Sequence, residues 1–254
     1  LLLTMTLLID ADYLIYSSCC AAQHDIRFDK YNHQLIMDER EAMSMIDFKL
    51  KHYQNILDTE GYKGSDDIVM CFTSYPTFRH EIFTEYKINR IDKRHPLGLH
   101  NVIEEVKNNY KSVSYPQLEG DDVLGLLSTN NTYDEPVIVS VDKDMRTIPG
   151  LLLANDTLEL ITKTQADKNF MAMTIAGDAT DGVPGIKGLG MVSATKILDS
   201  AKDLPSMWDL VVKTYNKKGN GISDAILNAR LVRILREGDY DYNTGEVKLW
   251  NPTF

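Results

Sequence analysis

The chain has 254 residues, 43% of them hydrophobic and 25% charged, enough to bury a sizeable core as one α/β domain or as one domain with a helical appendage. No apolar run reaches the ~20 residues that a membrane helix needs, so no membrane association is expected. The three cysteines and six histidines show neither a disulfide framework nor a metal-ligand spacing, which leaves a reducing cytoplasm as the expected compartment. A formal charge of −10 argues against an evenly basic nucleic-acid binder. The acids, however, concentrate in four clusters, while basic residues gather at 79–94 and 187–196. That division suits a protein that holds cations in one place and phosphates in another.

In chain order, the apolar opening LLLTMTLLI lacks a basic flank and runs into Asp10, so it reads as a buried strand and not a signal peptide. ADYLIYSSCCAA follows as a helix, and RFDKYNHQLIM as a hairpin turning near Asn32. From Glu39 to Leu57, Met43, Ile46, Leu50, Tyr53 and Leu57 fall on one helical face. DDIVMCF and PVIVSVD are β-branched runs bounded by polar residues, hence buried strands. Helices are expected at 98–109, 121–129, 165–176, 191–199, 206–216 and 222–237. Strands alternating with helices imply a mostly parallel sheet covered on both faces, giving way from about residue 165 to a helical part. The expected division is an α/β core over 1–164 and a helical region over 165–254.

The acids carry the chemistry. Asp10 ends the first strand, and Glu119, Asp121 and Asp122 open a helix in LEGDDVLG. Asp142 and Asp144 follow a strand in VSVDKDM, and Asp178 and Asp181 stand three apart in IAGDATDG, expected on one helical face. In a parallel α/β sheet, ligands bind beyond the carboxyl ends of the strands, where these side chains would converge. Two unit charges ~4 Å apart repel by ~4 kcal/mol at an effective dielectric of about 20, so such a cluster must take up protons, open, or bind cations. Oxygen ligands favour Mg²⁺ or Mn²⁺ over zinc, and two such ions suit in-line phosphoryl displacement. Any one of these acids alone is more often a turn residue or helix cap; all four clusters together are not.

After Asp181 comes GVPGIKGLGMVSATKIL. Gly185, Gly188 and Gly190 permit a tight turn before a helix, a geometry that offers backbone N–H groups to phosphate. With Ser193, Ala194 and Lys196, the spacing is a helix–hairpin–helix pattern, which grips a DNA backbone without reading sequence.

LLIDADYL, LEGDDVLG, VSVDKDM and IAGDATDGVPGIKGLG, in this order, resemble the acidic motifs and helix–hairpin–helix of the flap endonuclease/5′→3′ exonuclease superfamily. LEGDDVLGLLSTN, SVDKDMRTIPG and LVRILREGDYDYNTGEVKLWNP resemble in particular the exonucleases of short-tailed lytic bacteriophages. The resemblance runs from about Leu7 to Pro252. It implies a PIN-like α/β core in which Asp121 and Asp122, with Asp10 nearby, serve a first metal. Asp142, Asp144, Asp178 and Asp181 would serve a second, with Glu119 supporting the cluster. EYKINR resembles the family's basic segment, which implies that Lys87 and Arg90 contact the scissile phosphate and that Tyr86 stacks on a terminal base. The arch-like segment 79–110, and 86–100 within it, would cover the site and admit a free 5′ end. Lys187 and Lys196 would contact DNA at the hairpin, where a K⁺ ion is also implied.

Two positions depart from the family pattern. Ser74 stands where most relatives carry an Asp, and GLGMVSATK delays the basic residue after the last Gly. The implied partner is DNA: a duplex with a free 5′ end, a flap, or an RNA–DNA hybrid, bound by a monomer in the cytoplasm (a bacterial host's, if phage-encoded). Two other readings compete. LLIDAD also looks like the DxD motif of haloacid-dehalogenase-like phosphatases, with Asp10 as nucleophile and Asp12 as acid, but it leaves the other clusters unexplained. Asp12→Asn separates the two, since it should kill a phosphatase and spare a nuclease. A DNA-binding module that has lost catalysis is the other reading, supported by Ser74 and opposed by the retained acids.

Overall fold

The computed structural model describes residues 5–62, 67–90 and 93–253. Leu1–Thr4 of the expected first strand, Asp66 at the head of the second run and residues 91–92 of the 86–100 segment lie outside them. A six-stranded sheet forms the centre, in the order β5(Lys111–Val113), β4(Asp67–Cys71), β1(Thr6–Asp10), β6(Pro136–Val139), β7(Gly150–Ala154), β8(Thr157–Ile161). All neighbours are parallel except β7 and β8, which pair antiparallel. This is the expected mostly parallel α/β fold.

The period of two along the central strands divides the apolar side chains between two layers. Leu7 and Ile9 of β1, with Val137 and Val139 of β6, point to one face. There they meet α1(Ala11–Ala21), α2(Glu39–Thr59) and α4(Leu99–Asn109) through residues such as Ile15, Ile46, Leu50 and Val102. Leu8 and Ile138 point to the other face, against Val123, Leu124 and Leu127 of α5(Gly120–Thr129). Fully burying a side chain of this size contributes roughly 1.5–3 kcal/mol. Leu8→Ala would therefore both lose transfer energy and leave a cavity at the sheet's centre.

The hairpin read near Asn32 is present as β2(Gln23–Arg27) and β3(His33–Met37), paired antiparallel. A short helix α3(Phe78–Ile82) follows β4. A third apolar cluster joins α6(Lys163–Ala176), α7(Met191–Leu198), α8(Leu204–Lys217) and α9(Ile222–Val232) around Phe170, Val211, Tyr215 and Ala229, and takes in Tyr86 from the earlier segment. Local signals set the ends of these helices. Thr162 and Gln165 form a capping box on α6, and Asp203 and Ser206 another on α8.

The last helix stops at Val232 and not at 237, because its continuation is used elsewhere. Ile234 and Leu235 turn back onto the sheet's second face, with β9(Tyr240–Asp241) and β10(Glu246–Val247) beyond them. The tail approaches α5 so closely that a Cβ on Gly125 would stand 2.2 Å from the Leu235 carbonyl oxygen, which explains a glycine inside that helix. Among the described residues, no helix is long and apolar enough to cross a membrane.

Candidate active site

Strand order places the acids. Chain progress from β1 runs outward to β4 and β5, then returns to β6 on β1's other side. The carboxyl ends of β1 and β6 therefore form the switch point at which open α/β sheets bind ligands. Asp10 closes β1 there and caps α1, its Oδ1 accepting from the Tyr13 backbone N–H at 3.2 Å. Its Oδ2 accepts from Ser140 Oγ at 2.8 Å, one residue past β6. Asp142 caps a 3-10 turn over 143–147 and accepts from the Asp144 N–H. Asp121 lies in the first turn of α5, as the sequence predicts.

Asp178 and Asp181 reach the site differently from the expectation of one helical face. α6 has already ended at Ala176, and the two acids sit in a loop closed by a bridge between Asp178 and Val183. Asp178 Oδ1 accepts from the Thr180 and Asp181 N–H groups, so a side-chain turn and not helical spacing brings the pair together. Glu119, Asp121, Asp144, Asp178 and Asp181 line one small cavity of about 30 Å³, room for an ion or a water molecule.

The electrostatics divide these acids into two sets. Burial pushes Asp10 up to about 6, against the lowering effect of its Ser140 and Tyr13 bonds. Burial first and Asp142 second push Asp144 up to about 7. Asp121 is driven well above the usual carboxylate range by burial, then by Asp10 and Asp142. These three acids have no cation close enough to reverse the shift.

The second set is neutralised from within. Asp122 is wholly buried, with Arg79 Nη1 and Nη2 at 2.6 and 2.8 Å and the Glu119 and Leu235 N–H groups at 3.2 Å each. All its acceptor directions are occupied, which corrects the expectation of a metal ligand: Asp122 anchors Arg79. Glu119 is also buried, but the Arg79 and Lys87 charges outweigh that burial and hold it below the usual range. Its carboxylate lies 2.7 Å from Lys87 Nζ. Arg90 pairs with Asp181, although burial outweighs its charge and that of Lys87 and leaves this acid above the usual range, and Lys143 Nζ stands 3.6 Å from Asp178.

The side-chain ammonium and guanidinium groups thus interleave with the carboxylates. Among the described residues, no three carboxylate, imidazole or thiol side chains are drawn together as a ready metal cage. The donor set nonetheless fits a hard divalent cation: oxygen only, around a cavity of ionic size, with three acids whose charge is disfavoured first by burial and then by neighbouring carboxylates, Asp142 among them in each case.

Tyr86 requires a second correction. Only 3% of it is exposed, and its hydroxyl donates to Glu119 at 2.9 Å. A ring enclosed in the third apolar cluster cannot stack on a base. The residue positions Glu119 and packs the core, because the turn that presents Lys87 to the acids (φ 53°, its N–H on the Asp181 carbonyl) directs the preceding ring inward.

Ser74 is half-buried, with its N–H on the Leu118 carbonyl. The side chain that reaches this corner from α1 is Asp12, whose Oδ2 accepts from the Thr73 N–H at 3.0 Å. Thr73 Oγ1 in turn accepts from the Gly120 N–H at the start of α5. Arg79 was visible in the sequence only as one of a basic group, since its partner Asp122 lies 43 residues away. Asp12 was read only as a phosphatase acid, although a DxD pair leaving a strand signals a second carboxylate one helical step from the first.

In the glycine-rich turn, Gly185 serves the fold and not a ligand. It has a positive φ of 57°, a Cβ would meet the Ala176 carbonyl at 2.4 Å, and its N–H is taken by Asn228 Oδ1. This corrects its expected role as a phosphate donor. Lys187, Gly188, Gly190 and Lys196 are all exposed, and Gly190 caps α7.

Comparison with known proteins agrees with this geometry. The family described as 5′-3′ exonuclease, N-terminal resolvase-like domain, matches residues 5–175. The exonuclease of Escherichia phage T7 is 28% identical over an alignment covering 97% of this chain and 93% of that protein. Among solved structures, the D15 protein of phage T5 co-crystallised with metal ions superposes with a TM-score of 0.62 at 16% identity, covering 90% of this chain and 89% of that one. The D15 flap endonuclease in a pseudo-enzyme–product complex with DNA and metal ions gives 0.57 at 14% identity, covering 90% and 88%.

Proposed function

The chain belongs to the 5′-3′ exonuclease family, and from that membership we propose that it hydrolyses DNA phosphodiesters from a 5′ end, releasing 5′-phosphorylated mono- or short oligonucleotides. The observation that carries the proposal is the acid-lined cavity at the switch point, with Lys87 and Arg90 already paired to its rim.

Asp10, Asp121, Asp142, Asp144 and Asp178 would hold two divalent cations, Mg²⁺ or Mn²⁺, with Asp181 joining when Arg90 leaves it. Bound there, the ions supply Lewis acidity and make water nucleophilic near neutral pH. Lys87 and Arg90, released from Glu119 and Asp181, would move onto the non-bridging oxygens of the scissile phosphate and stabilise charge as it develops. Glu119 and Tyr86 would hold Lys87 at the correct height until then. The open turn at Lys187, Gly188 and Gly190, with Lys196 behind it, would take a backbone phosphate of the duplex, and K⁺ would bind at that turn. Duplex ends, flaps and RNA–DNA hybrids are the proposed substrates, and a monomer the active form. The phosphatase reading falls with the family match.

The test is cleavage of 5′-labelled and 3′-labelled duplex DNA in Mg²⁺ and in EDTA. Early Mg²⁺-dependent release of the 5′ label, with the 3′ label kept on shortening strands, is the expected result. Retained DNA binding without cleavage in Mg²⁺ or Mn²⁺ would instead identify a catalytically lost binding module.

A further inference from the structure

A second hollow, of about 220 Å³, opens beside Asp10 at the switch point between β1 and β6. Its floor is apolar, made by Leu14, Val139 and Leu153. Tyr13 of α1 and Tyr53 of α2 stand at its sides, and Asn155 and Asp156 rise from the β7–β8 turn. Tyr13 is 48% exposed, so its ring is accessible from solvent. The side chains of Tyr13, Tyr53 and Asn155 make no hydrogen bond to another described residue.

We propose that this hollow is a nucleobase subsite that receives the base of a nucleotide flanking the phosphate cleaved at Asp10; the proposal rests on the nuclease reading above. Charge excludes the phosphate of a nucleotide. The walls carry two carboxylates, Asp10 and Asp156, and no Lys or Arg, and the imidazole nearest Asp156, His52, is already paired with it at 3.1 Å. A phosphate would be repelled, whereas a neutral ring would not. The volume lies below the ~300–1,000 Å³ of sites for drug-sized ligands, which suits one ring system and not a whole dinucleotide. Aromatic sides over an aliphatic floor favour a flat π-surface, and stacking of that kind accepts any base. The free hydroxyls and the Asn155 amide can meet the ring's edge donors and acceptors. Tyr86, which the resemblance implied would stack on a terminal base, is buried, whereas Tyr13 offers an accessible aromatic face beside Asp10.

Two variants test the subsite without disturbing the fold. Tyr13→Ala keeps the backbone N–H that caps Asp10. Asn155→Gly removes the amide at a residue with a φ of 48°, a conformation glycine adopts without strain. Duplex DNA carrying 2-aminopurine next to the cleaved phosphate, with Ca²⁺ replacing Mg²⁺ to prevent turnover, reports stacking by loss of fluorescence. Quenching by the wild-type protein, relieved in Tyr13→Ala together with binding weakened roughly tenfold, is the expected result. Unquenched emission with wild-type protein, or both variants binding as wild type does, overturns the subsite.

A free deoxynucleoside titrated in saturation-transfer NMR separates this failure from failure of the nuclease reading. Transfer to the base protons that is lost in Tyr13→Ala supports the hollow even in a protein that cleaves nothing. No transfer overturns it even in an active nuclease.

Discussion

Asp121 and Asp122 are adjacent in sequence and in the same helical turn, yet they meet opposite environments. Asp122 points inward, where Arg79 grips both its oxygens. Asp121 stands at the sheet edge, where burial and then the Asp10 and Asp142 carboxylates disfavour its charge. The lesson extends across the site: Asp122 and Glu119 have their charge met by the protein itself, whereas Asp10, Asp121 and Asp144 do not. One set holds the fold, and the other is the set we propose to bind cations.

The largest expected effect tests the first set. Arg79→Ala leaves Asp122 buried and unpaired and should cost about 3–5 kcal/mol, read as a large drop in thermal or urea stability. A stable Arg79→Ala protein would remove the contrast. Next, Asp121→Asn should lower cleavage by at least about a hundredfold, the scale of losing one electrostatic stabiliser. In EDTA it should melt no lower than wild type, because repulsion has been relieved; a clear loss of stability would place Asp121 with Asp122.

Third, Mg²⁺ should stabilise the wild-type fold relative to EDTA by up to about 2.7 kcal/mol per site at a hundredfold excess over Kd, read as a higher melting temperature. The gain should shrink in Asp121→Asn and persist in Asp167→Asn. Fourth, Tyr86→Phe removes a buried hydrogen bond to a carboxylate, worth about 1.5 kcal/mol. It should lower stability while leaving DNA affinity in Ca²⁺ unchanged, whereas a base-stacking residue would keep both on losing only its hydroxyl.

The smallest effect depends on pH. Asp167 is buried, but its bonds to Lys163 and Arg236 outweigh that burial and hold its carboxyl below the usual range. An acid depressed in the folded state contributes stability that is present above the unfolded value near ~3.9 and is lost as pH falls through the lower folded value. Asp167→Asn should therefore melt below wild type at pH 7, and the gap should close as both proteins are taken to pH values below that range. A gap independent of pH would assign the loss to packing.

The central strands were legible because TLLID and PVIV are continuous apolar blocks ending in polar residues, as doubly covered strands are. The β7–β8 hairpin was not read, although its signal is in the sequence. In LLLANDTLELI, Asn155 and Asp156 take φ values of 48° and 60°, the positive pair that tight hairpin turns require and Asn-Asp tolerates. The acids of the site could be located because metal chemistry needs them in clusters. What could not be read was which acid is already paired, since that depends on partners far along the chain. Asp122 looks like Asp121 until Arg79 arrives, and Tyr86 looks exposed beside Lys87 until the helices of the third cluster enclose it. The early end of α9 is the same kind of miss, a helical pattern overruled by what Leu235 meets.

Arg79 also sets an order of assembly. Besides Asp122, its guanidinium donates to the backbone carbonyls of Leu231 and Arg233, 152 and 154 residues downstream. During synthesis, the sheet and its acids emerge long before those acceptors exist. Contacts of such separation form late and slowly, so a nascent chain carries all the acids of the candidate site without the anchor that fixes α5 beneath them. Residues 231–233 are made after every acid of the candidate site, so the anchor of α5 is among the last of the site's contacts that the growing chain can complete.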